Sequence, residues 1–261
     1  MPEIAFSLTT RPGVTIRGHK TDPGIGPVGL FLHGFRSDSG GQKSLDLAAH
    51  AEARGRAWIR FDLAGHGASG GRFSDQTLSD WLGDARAVAA LAGPRPLLIV
   101  GSSLGAWLAV LMAQAAAFPI AGLVLLAPAF NFLQRYYATL PPALQDRWRT
   151  EGRLSLPDPY GPADAVYSLD YRLIEDAARH DVLGGPVRLA CPIVMIHGDR
   201  DEAVPLSVSH DFLAHAQAPA KRLLVVPGGD HRLTAALPAI REAVDGLWPA
   251  PADRRSQAAS C

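Results

Sequence analysis

A serine attacks a carbonyl when its hydroxyl is exposed and a neighbouring base can take its proton. Ser103 stands at the centre of Gly101-Ser102-Ser103-Leu104-Gly105, between the apolar run Leu97 to Val100 and an Ala- and Leu-rich stretch from Ala106 to Ala117. The first reads as a buried strand and the second as a buried helix, so the join is a sharp turn. Glycines at 101 and 105 carry no Cβ to clash where helix and strand meet, which leaves the Ser103 hydroxyl exposed at the apex beside the free N–H groups of the new helix. This is the sequence of a nucleophile elbow.

The base and its orienting acid should lie at the ends of later strands. Of the nine histidines, His50, His180, His210 and His215 sit in helical stretches, whereas His231 follows the last strand on the turn Pro227-Gly228-Gly229-Asp230. His231 is therefore the expected base. His197 adjoins a strand end and reads as structural. The loop His197-Gly198-Asp199-Arg200-Asp201 supplies the acid, and Asp201 is preferred: Asp199 lies close enough to the strand to cap its own turn, and Asp230 would point away from its neighbour His231. Attack on a carbonyl creates an oxyanion that preorganised N–H donors stabilise. The expected donors are the backbone N–H of Leu104, just after the nucleophile, and that of Phe35 in His33-Gly34-Phe35, after the strand Val28 to Leu32.

The elements that position these groups alternate. Ile4–Leu8 and Val14–Arg17 read as an edge hairpin around Arg11-Pro12-Gly13, followed by strands at 28–32, 57–61, 97–100, 121–127, 192–196 and 222–226. Helices are expected at 41–54, 77–91, 106–117, 206–216 and 233–247, the last ending near Leu247. The expectation is an α/β fold: a mostly parallel eight-stranded sheet with helices on both faces. It forms one domain, 1–248, with a small helical lid inserted at about 130–190 and a disordered tail, 249–261. The insertion interrupts the alternation and carries Tyr136, Leu140, Leu144 and Trp148 at four-residue spacing. Phe130, Phe132, Tyr136, Tyr137 and Trp148 either wall an acyl pocket or pack the insertion onto the sheet; His33 and His66 are further candidates for the pocket lining.

The 261 residues are 48% apolar and 19% charged, with zero formal net charge, so no nucleic-acid or anionic-membrane partner is expected. No apolar run approaches the roughly twenty residues that span a bilayer. Two cysteines, Cys191 and Cys261, make no disulfide framework and fit a reducing compartment. No His/Cys/Asp spacing indicates a metal, and no cofactor is expected. Met1 to Phe6 has neither the positive start nor the apolar middle of a secretory signal, and the expectation is a soluble cytoplasmic protein.

In this order, His33-Gly34-Phe35, Asp62 to Gly71, Gly101-Ser102-Ser103-Leu104-Gly105, His197 to Pro205 and Gly229-Asp230-His231 resemble the α/β-hydrolase superfamily across nearly the whole chain. Gly34-Phe35-Arg36-Ser37-Asp38, Ile59 to Asp62, Val100 to Leu108 and Asp201 to Pro205 resemble, more narrowly, its mitochondrial acyl-protein thioesterases, also described as acyl-glucuronide esterases. The resemblance implies a serine hydrolase acting on S-palmitoyl cysteine or activated acyl esters, of bacterial type here, with small-molecule or acylated-protein substrates. Medium or long acyl thioesters are then expected to turn over better than acetyl esters. Carbon–carbon bond hydrolysis, perhydrolysis and acyl transfer keep a serine at this position, and a binding protein on the same scaffold is the alternative from another class.

Overall fold

Strands without polar alternation need cover on both faces, and the fold supplies it. The structure, a computed structural model, describes residues 1–157 and 164–248. In chain order the elements are β1 (Ile4–Arg11), β2 (Val14–Thr21), β3 (Val28–Leu32), α1 (Gln42–Ala53), β4 (Ala57–Phe61), α2 (Leu78–Ala89), β5 (Leu97–Ser102), α3 (Leu104–Gln114) and β6 (Ile120–Leu126). The insertion follows as α4 (Phe132–Thr139), α5 (Pro142–Glu151), β7 (Arg153–Pro157), β8 (Val166–Asp170) and α6 (Arg172–Ala177). After it come β9 (Val187–Arg188), β10 (Ile193–Gly198), α7 (Ser207–His215), β11 (Ala216–Gln217), β12 (Lys221–Val226) and α8 (Leu237–Leu247).

Among the described residues, eight strands form one sheet in the order β1-β2-β4-β3-β5-β6-β10-β12. β1 and β2 join antiparallel, as does β2 to β4, and every later pairing is parallel. Successive residues feed opposite cores. Leu30, Ile59, Ile99, Leu123 and Met195 meet α2, α3 and α7 on one face, while Phe31, Trp58, Leu98, Val124 and Ile196 meet α1 and α8 on the other. All the parallel strands therefore end on the same edge, where loops can gather side chains distant in sequence.

The insertion differs from its expected form in two places. The four-residue spacing from Tyr136 to Trp148 suggests one helix, but the chain breaks at Leu140-Pro141 into α4 and α5. Proline cannot donate the helical hydrogen bond and disfavours helical geometry in the residue before it. The insertion also contains an antiparallel hairpin, β7 with β8, that sequence periodicity did not reveal. The expected disordered tail lies outside the described residues.

Candidate active site

The turn between β5 and α3 is tight. A Cβ on Gly105 would lie 2.1 Å from the Leu32 carbonyl oxygen, and one on Gly101 would lie 2.3 Å from that of Gly105. Only glycine lets α3 pack this closely on β3 and β5. Between them Ser103 takes φ 56° and ψ −115°, a conformation a non-glycine residue adopts at a cost of about 1–3 kcal/mol. Its own N–H is used by the Leu126 carbonyl at 2.9 Å.

Ser103 Oγ lies 3.1 Å from His231 Nε2, and His231 Nδ1 lies 2.7 Å from Asp201 Oδ2. The three side chains come from the turns after β5, β12 and β10. Asp201 is a fully acceptor-saturated carboxylate: Oδ1 takes the N–H groups of Ala203 (2.9 Å) and Val204 (2.8 Å), and Oδ2 takes His197 Nε2 as well as His231. Burial by itself would raise its pKa, but the hydrogen bonds from His197, His231 and the Val204 amide outweigh burial and hold the carboxyl well below the usual range. It is ionised at neutral pH. Asp199 instead accepts the Gly228 N–H, and Asp230 accepts the N–H groups of Arg232 and Leu233, so both fix turns.

The loop after β3 lies against the nucleophile, for a Cβ on Gly34 would be 3.2 Å from Ser103 Cβ. Hydrogen bonds with the β4 loop hold it. Leu63 N–H donates to His33 Nε2, Arg36 N–H to His66 Nε2 and Ser39 N–H to Asp62 Oδ1. His33 Nδ1 and His66 Nδ1 in turn donate to the carbonyls of Gly34 and Ala64. Each ring thus needs one protonated and one bare nitrogen. Burial lowers both pKa values, that of His66 to about 3 with help from the neighbouring His33. Within this braced loop the Phe35 N–H, like that of Leu104, donates to no acceptor among the described residues.

A cavity of about 480 Å³ opens at Ser103 and His231. Of the residues expected to line a pocket, only His33 does so. His66 is behind the loop. Phe130 is buried against Phe212, ring centroids 4.3 Å apart, and Tyr136 is on the outer surface. Trp148 is fully buried, donates to the Leu169 carbonyl and packs with Tyr137 and Tyr171, so these rings join the insertion to the main hydrophobic core. The insertion touches the site loop through Phe132 on Phe35 and Tyr167 under the Arg36 guanidinium. Sequence reasoning missed the residues that do line the cavity, among them Lys43, Ser44 and Arg232. A signal was present: Gly40-Gly41 opens α1 with no acidic residue in its first turn.

Comparison with known proteins agrees with the fold. Residues 30–243 match the model of the Alpha/beta hydrolase family. Palmitoyl-protein thioesterase ABHD10, mitochondrial, of Rattus norvegicus is 30% identical over 88% of this chain and 77% of its own length. Among solved structures, a putative hydrolase from Agrobacterium vitis S4 superposes with a TM-score of 0.89 at 30% identity, covering 95% of this chain and 100% of that one. Alpha/beta hydrolase domain-containing protein 10 from mouse gives 0.84 at 27%, covering 94% and 98%.

Proposed function

Because the chain belongs to the alpha/beta hydrolase family, we propose that it cleaves carboxylic esters or thioesters through an acyl-enzyme on Ser103. The observation that carries this reading is the continuous chain Asp201–His231–Ser103, with spacings of 2.7 and 3.1 Å. His231 Nε2 takes the hydroxyl proton as Ser103 Oγ bonds to the carbonyl carbon, and Asp201 steadies the imidazolium that results. The N–H groups of Phe35 and Leu104 receive the oxyanion; a donor of this kind contributes about 3 kcal/mol. His231 then returns its proton to the leaving alcohol or thiol. Water, deprotonated by the same ring, releases the acid and restores the serine.

The rat relative's name as a palmitoyl-protein thioesterase supports including thioesters. We assign the insertion the part of a lid that sets substrate choice, a reading supported by its aromatic contact with Phe35. No helix among the described residues is long and apolar enough to cross a membrane. A cytoplasmic location is our expectation, whereas the rat relative is named as mitochondrial; cell fractionation decides between them.

The test is steady-state hydrolysis of an acyl-length series, each member as oxygen ester and as thioester, beside labelling by a fluorophosphonate. Ser103→Ala should abolish labelling and lower kcat by about 10⁴-fold or more. Equal inertness of both proteins on every member would hand the scaffold to the non-catalytic reading.

A further inference from the structure

The cavity at Ser103 is not an apolar acyl slot. Its floor is the N-terminus of α1, where Gly41, Gln42, Lys43 and Ser44 line it. No side chain caps this helix and no carboxylate stands in its first turn. The N–H groups of Gln42, Lys43 and Ser44 have no acceptor among the described residues, so the positive end of the helix dipole is uncompensated.

Two side chains there lack what their chemistry requires. Ser44 is fully buried, yet its hydroxyl has no hydrogen-bond partner among the described residues. A buried hydroxyl left this way costs about 1–3 kcal/mol, which a ligand acceptor would recover. Lys43 Nζ donates to the Arg232 carbonyl at 2.7 Å, but no carboxylate among the described residues is within ion-pair distance of it. Burial brings its pKa down to about 8, against the pull of Asp230. Arg232 in the lining agrees in sign, and the lining carboxylate Asp38 already accepts the Gly40 N–H on its Oδ1.

We propose that the N-terminus of α1, with Ser44 Oγ and Lys43 Nζ, is a carboxylate-binding subsite, and that the preferred ester or thioester carries a carboxylate on one of its two arms. The inference rests on the assignment of Ser103 as the attacking group. Free helix amides, a hydroxyl and an ammonium make a charge-assisted cradle for a planar anion, and a neutral substrate arm brings no charge to balance the ammonium and the helix dipole. The subsite shares its cavity with Ser103 and His231, so an anion held there positions the carbonyl at the nucleophile.

Two substrate pairs test this, one for each arm. On the acyl arm, the 4-nitrophenyl half-ester of adipic acid is set against its neutral amide isostere. On the alcohol arm, 4-carboxyphenyl butyrate is set against 4-carbamoylphenyl butyrate. In wild type, one pair should favour the charged member by about tenfold or more in kcat/KM. Lys43→Met and Ser44→Ala should each bring that ratio towards one, and Lys43→Arg should keep it. Calorimetry on Ser103→Ala protein reads the same preference as binding, without turnover. A ratio near one in both pairs by turnover and by binding overturns the subsite, as does a ratio that Lys43→Met and Ser44→Ala leave unchanged. Tighter binding of the charged member to Ser103→Ala, without serine-dependent turnover by wild type, would uphold the subsite while removing the hydrolase reading.

Discussion

Asp201 gathers four donors, and one of them comes from a histidine the sequence assigned to structure. His197 is fully buried. The Val204 carbonyl, 3.0 Å from its Nε2, can only accept, so that nitrogen carries a proton and offers it to Asp201 Oδ2 as well, while Nδ1 meets Ser209 Oγ at 2.7 Å. The carboxylate is thus fixed from behind before His231 reaches it. Replacing His197 by Phe would orphan the Ser209 hydroxyl and the Val204 carbonyl, at about 1–3 kcal/mol each. The variant should melt at lower denaturant, and its kcat should fall about tenfold with KM little changed. An unchanged kcat would show that the two amides and His231 suffice to hold Asp201.

At the scale of elements, the site depends on two loops tied by side chains rather than by backbone ladders. His33, His66 and Asp62 each accept an N–H from the opposite loop or its base, and within the first of these loops Arg36, like Ser103, has positive φ. Fixed neutral imidazoles give this arrangement a pH limit. An unfolded chain protonates its histidine below about 6.5, while folded His66 stays neutral down to about 3, so unfolding takes up a proton and stability falls as pH is lowered across that window. The contribution is about 1.4 kcal/mol per pH unit. Denaturant titrations between pH 7 and 4 should show a steeper loss for wild type than for His66→Asn. Parallel slopes would mean that His66 titrates alike in both states.

For the molecule as a whole, the insertion extends the hydrophobic core on one face of a two-faced sheet. Trp148 is sealed inside it against Tyr137 and Tyr171, away from the Ser103 cavity. Trp148→Ala should therefore cost about 3–5 kcal/mol of stability, read by thermal melting, and should leave the acyl-length preference unaltered. A shifted chain-length profile at unchanged stability would instead return this ring to the substrate path.

The sequence by itself determined the sheet, its helices and the grouping of Ser103, Asp201 and His231 at strand ends. Those features are local: uninterrupted apolar runs, glycine turns and chain order each state a strand, a bend or a loop without reference to distant residues. Phe130 and Trp148 were equally legible as large aromatic rings, but their destination was not, because a ring's spacing along the chain is the same whether it fills a core or walls a pocket. Tertiary packing decided that. It turned Trp148 inward, broke the helical spacing from Tyr136 to Trp148 at Pro141 and brought the uncapped start of α1 to the Ser103 cavity. A cavity is the space left when distant elements meet, so its lining is fixed by how the elements pack and not by any one of them.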